Sequence, residues 1–248
     1  EGGLVVGVPD MLQEHGDDRP QIPVTPVTTL DVECFGGIPR MEKISWLRKW
    51  MLIEGYDKVL LSSLDEVAWM LNVRGSDIEY NPLVISYLLV SQDYVKWFVK
   101  KTVTDSELDP DTLDSFAELR MDGVDVEDYD AVFFALSDFG SDEGSGVIFI
   151  DPSTLNSNVY KYISGCFPAD SIVCGTSPVI LEKSVKTPSE IENLRQTYID
   201  DGVAMERFLY WLEMEVASGR EVNEWEASER LTAFRSEVPG YRGNSFEN

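Results

Sequence analysis

Four consecutive residues, Arg74 to Asp77, combine a fixed cation, a permissive glycine backbone and a carboxylate directly after an apolar helical pattern. Such a segment can hold a change of chain direction through hydrogen bonds, or it can present polar groups to a ligand. Asn81 precedes Pro82 and is expected to start the next strand. The sequence predicts that Arg74 and Asp77 lock this segment, called the elbow (residues 74–77), and a ligand site is the alternative.

Other residues with possible chemistry are isolated. His15 is the only histidine and lies in a polar, Pro-rich stretch, where a solvated side chain is expected. Asp200 and Asp201 resemble a metal pair on paper, but adjacent helical residues point about 100° apart, so a solvated face is predicted. The chain has three cysteines without metal-ligand spacing, which predicts buried free thiols and a reducing compartment, with a bridge between the last two as the alternative. They are Cys34, Cys166 and Cys174.

No catalytic motif is present in the sequence. Neither a serine nor a cysteine nucleophile has a plausible histidine base, and the phosphate-binding, dinucleotide-binding and H-E-x-x-H patterns are missing. We therefore assign no catalytic residue and no metal ligand, and expect no cofactor in this chain.

The elements around the elbow are predicted from the period of their apolar residues. Residues 64–72 have helical spacing with acidic residues in the first turn, which the helix dipole favours. Apolar runs at 58–63, 83–91 and 94–100 predict strands, the last two joined as a hairpin. The elbow should therefore connect a two-turn helix to a sheet.

The rest of the chain alternates strands with helices. Helices are predicted at 40–54, from Asp109, and from Ser153 to about Ile163, and strands at 124–126, 146–151 and 171–174. The run 131–136 is ambiguous by period, although the acids before it favour a helix, and 178–186 is predicted to be extended. This alternation predicts an α/β fold in which helices cover both faces of a mixed sheet.

Charge and composition exclude some classes of function. The net charge of −25 comes from 45 acidic and 20 basic residues, and the segment from Asp105 to Glu143 has fourteen acids and one base. Nucleic-acid binding needs clustered basic residues, so it is not expected. No window approaches the ~20 apolar residues of a membrane span, so no membrane partner is expected either.

Four motifs together resemble a known family. They are LDEVAWMLNVRGSDIEYNP at 64–82, the triplet Asp18-Arg19-Pro20, GVIFIDP at 146–152 and SPVILEKSVKTPSEIENLR at 177–195. Taken in their order along the chain, they resemble the three-domain Xaa-Pro aminopeptidases, aminopeptidase P, of the creatinase and methionine-aminopeptidase superfamily. The resemblance covers nearly the whole chain and implies a creatinase N-terminal-like fold.

The resemblance also implies a division of the chain. Residues 1–39 would be an interdomain linker, residues 40–186 the central non-catalytic domain, and residues 187–248 the opening helices of a truncated pita-bread catalytic domain. The capping box from Thr187 to Glu190 and the apolar period up to Val216 predict a long helix, and a second helix should begin at Asn223. These helices are expected to leave an apolar face exposed.

Two functions follow from the resemblance. The first is a non-catalytic part of a cytoplasmic, metal-dependent aminopeptidase that removes a residue preceding proline, with two divalent ions, manganese, bound outside this chain. Arg74, Asp77 and Asn81 would then lock the elbow or border the substrate cleft, and proline-containing peptides and a homodimer partner are implied. The alternative is an inactive peptidase-like module that binds basic proteins or peptides, which the acidic charge favours.

Overall fold

A computed structural model describes residues 23–35, 37–100, 108–141 and 146–246. In chain order the strands are β1 (Thr28–Thr29), β2 (Lys58–Leu61), β3 (Val73–Arg74), β4 (Ser86–Ser91), β5 (Val95–Val99), β6 (Val124–Asp128), β7 (Ile148–Ile150) and β8 (Ile172–Cys174). The helices are α1 (Val32–Phe35), α2 (Arg40–Glu54), α3 (Leu64–Leu71), α4 (Pro110–Met121), α5 (Ala131–Ser141), α6 (Ser157–Cys166), α7 (Pro178–Ser184), α8 (Pro188–Ala217) and α9 (Glu224–Ser236).

Six strands form one mixed sheet in the order β6-β5-β4-β2-β7-β8. β4 and β5 are the predicted hairpin, paired antiparallel from Ser86 opposite Val99 to Val90 opposite Val95. β2 pairs antiparallel with β4 but parallel with β7, which in turn is parallel to β8. The carboxyl ends of β2, β7 and β8 therefore lie at one edge of the sheet, next to α3.

Alternate residues of each strand enter two separate apolar clusters. Val59 and Leu61 of β2 pack with α2, α3, α4 and α7, whereas Leu60 packs with α5 and α6. Because side chains of a strand point alternately to opposite faces, the two clusters lie on the two sides of the sheet. The prediction of an α/β fold with helices on both faces is confirmed.

Two local predictions were wrong. Residues 178–184 are not extended but form α7, since the side chain of Ser177 accepts the amide of Val179 and Pro178 occupies the first turn. Ser153 does not cap α6, because its hydroxyl and amide are both bonded to Asp151 Oδ1. The cap is Asn156, whose side chain accepts the amide of Val159.

The segment before α2 is packed against the sheet domain. β1 pairs with β3, and the Val27 amide donates to Thr112 Oγ1 at 2.8 Å while Ser115 Oγ donates to the Val27 carbonyl at 3.0 Å. Val27 is buried in the first cluster. The linker assignment for residues 1–39 stays a prediction; His15 and Asp18 to Pro20 lie outside the described residues.

α8 and α9 form a helical hairpin with a small buried core. Among their described residues, Ala204 and Phe234 are buried, and Arg235 Nε donates to Asp201 Oδ1 at 2.7 Å. The predicted capping box is present at Thr187 and Glu190. Large apolar residues of α8 stay exposed, as predicted, including Tyr198, Ile199, Val203, Leu209, Tyr210 and Met214.

The accessibility of the cysteines differs from the expectation. Cys34, Cys166 and Cys174 are free, but Cys34 and Cys174 are exposed and Cys166 is half-buried, so their predicted burial was wrong. None of the helices in the described part of the chain is long and apolar enough to span a membrane.

Candidate functional site

The chain passes from α3 to the elbow through Asn72, whose backbone is in the left-handed conformation. α3 begins with Asp65 and Glu66 in its first turn and ends at Asn72, whose φ of 55° closes the helix while its amide bonds to the last carbonyls. Asparagine tolerates this conformation better than most residues. β3 follows, ends at Arg74 and pairs antiparallel with β1.

The Asp77 carboxylate holds the elbow to two other segments. Its Oδ1 accepts both Thr25 Oγ1 at 2.6 Å and the Thr25 amide at 3.2 Å, and its Oδ2 accepts the Ile85 amide at 2.8 Å. Gly75 is required by close approach, because a Cβ there would stand 2.6 Å from Val84 Cγ2. The Asp77 carboxylate thus links the elbow to Thr25 and Ile85.

Arg74 locks a different part of the chain from Asp77. Its Nη1 donates to the Val73 carbonyl at 2.8 Å and to the Ala68 carbonyl at 3.3 Å. Burial lowers the pKa of the Arg74 guanidinium. Within the described part of the chain Arg74 makes no ion pair with Asp77, so the two side chains are bonded to different segments. The negative end of the α3 dipole, rather than the nearby carboxylate, attracts the cation.

Asn81 closes a tight turn opposite Ile78 and does not start a strand. The Asn81 amide donates to the Ile78 carbonyl at 3.1 Å, and β4 begins only at Ser86. Tyr80 has a φ of 62°, which a non-glycine residue adopts at some energetic cost. The structure therefore separates the three predicted residues: Arg74 and Asp77 are half-buried, and Asn81 is exposed at the end of the turn.

Two basic residues that the sequence analysis missed also converge on the end of α3. Arg40 Nε donates to the Leu71 carbonyl at 3.0 Å, and the Lys43 ammonium donates to the Trp69 carbonyl and to Asn72 Oδ1. Burial, followed by the charge of Arg74, lowers the pKa of Lys43 to about 7. Both residues lie in the amphipathic pattern of α2, where lysine and arginine are ordinarily solvated. The sequence feature that could have identified them is a basic residue on the buried stripe of the helix.

A buried acidic cluster lies at the carboxyl edge of β7 and β8. Ser177 Oγ donates to Glu66 Oε2 at 2.6 Å, and the Ser177 amide donates to Asp151 Oδ2 at 2.9 Å. Burial raises the pKa of Glu66 even though the Ser177 hydroxyl opposes it. The cluster joins α3, β7 and α7, so it stabilises the helix that carries the elbow.

The described residues do not fit a metal ion. In residues 23–35, 37–100, 108–141 and 146–246, no group of three or more His, Cys, Asp or Glu side chains is arranged to hold one. Asp201 is paired with Arg235, and Asp200 accepts the side-chain amide of Gln196 at 3.0 Å. We assign no step of a metal-dependent reaction to these residues.

Comparison with known proteins places the fold and the elbow in a family. Residues 18–190 match the model of the creatinase/prolidase N-terminal domain, which is more than half of the chain. The chain belongs to this family. The match contains the elbow, the buried acidic cluster and the whole six-stranded sheet, so creatinase/prolidase N-terminal domain is the name of the unit that positions them.

The creatinase/prolidase relatives of this chain are Xaa-Pro aminopeptidases. The chain is 34% identical over 236 residues to a probable Xaa-Pro aminopeptidase P of Laccaria bicolor, covering 94% of this chain and 34% of that protein. It is 35% identical over 240 residues to human Xaa-Pro aminopeptidase 2, covering 94% and 33%. The chain therefore spans about a third of the length of these curated relatives.

A solved structure has the same arrangement. The X-prolyl aminopeptidase from Caenorhabditis elegans, described as a cytosolic enzyme with a di-nuclear active site, superposes with a TM-score of 0.84 at 30% identity. The match covers 96% of this chain and 37% of that chain. Nearly all of the fold described above, including α8 and α9, thus has a counterpart in one enzyme.

Proposed function

We propose that this chain supplies the non-catalytic N-terminal part of a metal-dependent aminopeptidase that removes an N-terminal residue preceding proline. The observation that supports it most directly is the structural match over 96% of the chain to an X-prolyl aminopeptidase. The proposed division is a linker at 1–39, a central domain at 40–186 and the opening helices of the catalytic domain at 187–248.

The remaining properties of the proposed enzyme follow from its relatives. Two divalent ions, manganese in our proposal, would be held by residues outside this chain, which has a single histidine, His15. The substrates would be proline-containing peptides, the location cytoplasmic, and the assembly a homodimer. The di-nuclear site and cytosolic location described for the C. elegans enzyme support this set.

A chimera tests the proposal. This chain would replace the matching 37% of the C. elegans X-prolyl aminopeptidase, and the chimera would be assayed with an Xaa-Pro peptide and manganese. We expect hydrolysis by the chimera and none by the 248-residue chain alone. A chimera that folds and binds metal but does not cleave the peptide would contradict the proposal, as would turnover by the isolated chain that survives further purification.

Within this enzyme we propose that the exposed turn at Asn81 borders the substrate cleft, while Arg74 and Asp77 hold the turn in position. Asn81 closes the turn that follows Asp77, whose carboxylate is bonded to Thr25 and Ile85. In the chimera, Asn81→Ala should raise KM with little change in thermal stability. Ser164→Ala, at an exposed position on α6, is the matched control; equal KM values in the two variants would place Asn81 outside the cleft.

The alternative function is an inactive interaction module for basic proteins or peptides. One observation favours it: the described acidic residues of α4, β6 and α5 lie in a segment with a single basic residue, Arg120. Binding of a lysine-rich peptide that persists at 0.15 M salt, together with an inactive chimera, would favour this function over the aminopeptidase.

A further inference from the structure

The Lys43 side chain is buried between the end of α3 and the segment that precedes α2. It is 2% exposed, and its ammonium donates to the Trp69 carbonyl and to Asn72 Oδ1. The nitrogen also stands 4.5 Å from the centre of the Trp69 ring. These partners are neutral, so the charge of Lys43 is solvated by dipoles and a ring face instead of a bonded carboxylate.

The first two turns of α8 lie against Phe35 and Gly37. Asn193 Nδ2 donates to the Phe35 carbonyl at 2.9 Å, and Glu190 Oε1 lies 3.6 Å from the position that a Cβ on Gly37 would take. This is the place where the long helix, otherwise largely exposed, touches the segment joining β1 to the sheet domain.

Asn72 connects that segment to the buried lysine. Its Nδ2 donates to the Ile38 carbonyl at 3.1 Å, while its Oδ1 accepts from Lys43. The side-chain amide of Asn72 thus bonds to the Lys43 amine through its oxygen and to the Ile38 carbonyl through its nitrogen. A hydrogen-bonded path therefore runs from Lys43 through Asn72 to Ile38, the residue after Gly37.

The charges that face Lys43 come from three elements. Arg40 on α2 and Arg74 on β3 disfavour its protonated form, whereas Glu190 on α8 favours it. Of the elements packed against α2, α3 carries its acids Asp65 and Glu66 at the opposite end, roughly 10 Å away at 1.5 Å per residue. β4 carries only Tyr87 as a titratable group, and that side chain packs in the cluster on the other face of the sheet.

We propose that Lys43 is a proton-dependent latch for α8: the protonated amine attracts Glu190 and holds the start of α8 against Phe35 and Gly37, and loss of the proton weakens this contact. The reason is reciprocity. If the docked carboxylate favours the proton on Lys43, the proton must favour the docked helix by the same free energy. The contact tightens as the pH falls through the pKa of Lys43, which burial and the charge of Arg74 bring to about 7. This inference stands apart from the proposed aminopeptidase role.

The first test measures the pKa of Lys43 in the full 248-residue chain by NMR of its Cε and Hε nuclei. We expect a value near 7 in the wild type and a decrease of about 0.5 unit in Glu190→Gln, which removes the charge but keeps an acceptor for the capping box. Glu192→Gln, an exposed carboxylate in the same turn, should leave the value unchanged. A pKa of about 10, the ordinary value, or equal values in both variants would overturn the latch.

The second test follows the docked contact itself. The side-chain amide signal of Asn193, which donates to the Phe35 carbonyl, should titrate with the same midpoint as Lys43 in the wild type. In Lys43→Met the signal should no longer change in that pH range. An identical titration in Lys43→Met would overturn the proposal, and should that variant fold poorly, loss of the Asn193 titration in Glu190→Gln decides the same question.

Discussion

Asp77 fastens the elbow because one carboxylate accepts three hydrogen bonds from two distant segments. Two come from Thr25 and one from the Ile85 amide. Without the carboxylate these donors would lose their acceptor inside a half-buried site. Arg74 works independently at the end of α3, since its bonds go to the carbonyls of Ala68 and Val73.

We predict that Asp77→Ala lowers the free energy of unfolding by about 1–3 kcal/mol, the cost of leaving buried donors unpaired. Urea unfolding of the chain measures it, with the exposed Glu79→Ala as a control near zero. A double-mutant cycle with Arg74→Ala should give a coupling below about 0.5 kcal/mol, because the side chains do not touch. Coupling above about 1 kcal/mol would mean that they do pair.

Lys43 should make the free energy of unfolding depend on pH. Its pKa is lowered to about 7 by burial in the folded chain, while the unfolded value is about 10.4, so between these values the unfolded chain binds more protons. The stability contributed by this position should therefore rise from pH 7 to 10, by on the order of 4 kcal/mol. Lys43→Met should remove that rise.

Urea unfolding at pH 7, 8 and 9 compares the wild type with Lys43→Met. Lys49→Met, at an exposed lysine on the same helix, is the matched control and should keep the wild-type slope. Parallel slopes for the wild type and Lys43→Met would show that the buried amine keeps its ordinary pKa.

Among the secondary-structure elements, α3 and α7 are joined in the buried acidic cluster by Ser177, the cap of α7. The Ser177 hydroxyl accepts the Val179 amide at the start of α7 and donates to Glu66 in α3. It thus joins two helices at the carboxyl edge of the sheet.

We predict that Ser177→Ala lowers stability by about 1–3 kcal/mol, since it removes a helix cap and the donor to a buried carboxylate. Thr187→Ala, which removes the cap of α8, is the matched control and should cost about 1 kcal/mol by the cap alone. Thermal melts monitored at Trp97, buried in the sheet, should shift for Ser177→Ala. An equal or smaller loss than in Thr187→Ala would contradict a joining role.

The elements that the sequence predicted well have a clear period or cap. α2, α3 and the β4–β5 hairpin follow directly from apolar spacing, Gly55 and the two-residue connection. α7 was missed because its apolar run suggested a strand, although Ser177 and Pro178 are an ordinary helix start. β1 was missed because its two threonines have no period; only the partner strand β3 determines their conformation.

The position of the candidate site was predictable from the sequence, but the hydrogen-bond partners of its residues were not. Arg74 and Asp77 are both structural, as their residue types suggested, yet their partners lie in segments that no local pattern connects. Thr25 precedes the elbow by 52 residues. Lys43 and Arg40 were passed over because the helical period alone does not tell a buried basic residue from one at the edge of the stripe.

For the whole molecule, the dominant feature is the uneven burial of α8. Its start touches Phe35 and Gly37 and its middle packs on α9, but Tyr198, Ile199 and Val203 remain exposed. Contiguous apolar patches larger than a few hundred Å² are uncommon on monomers.

We predict that the 248-residue chain associates with itself through this face and that a chain ending at Lys186 is more monomeric and still folds. Its core is built from strands and helices that precede Lys186. Light scattering of both chains at matched concentration measures the difference. A monomeric full chain that binds no apolar dye would contradict the prediction, and an unfolded shorter chain would show that α8 is needed for the core.

The sheet order also sets a sequence of folding events. β4 and β5 are neighbours along the chain and close through a two-residue turn, whereas β2 must wait for β7, which follows after both hairpin strands, α4, β6 and α5. Closing that distance costs chain entropy before any contact compensates for it. Pulse-labelled hydrogen exchange should protect the Leu88 amide before the Phe149 amide. Newly synthesised chains would then expose the β2 edge for as long as β7 is missing, and that edge is where misassembly between copies would begin.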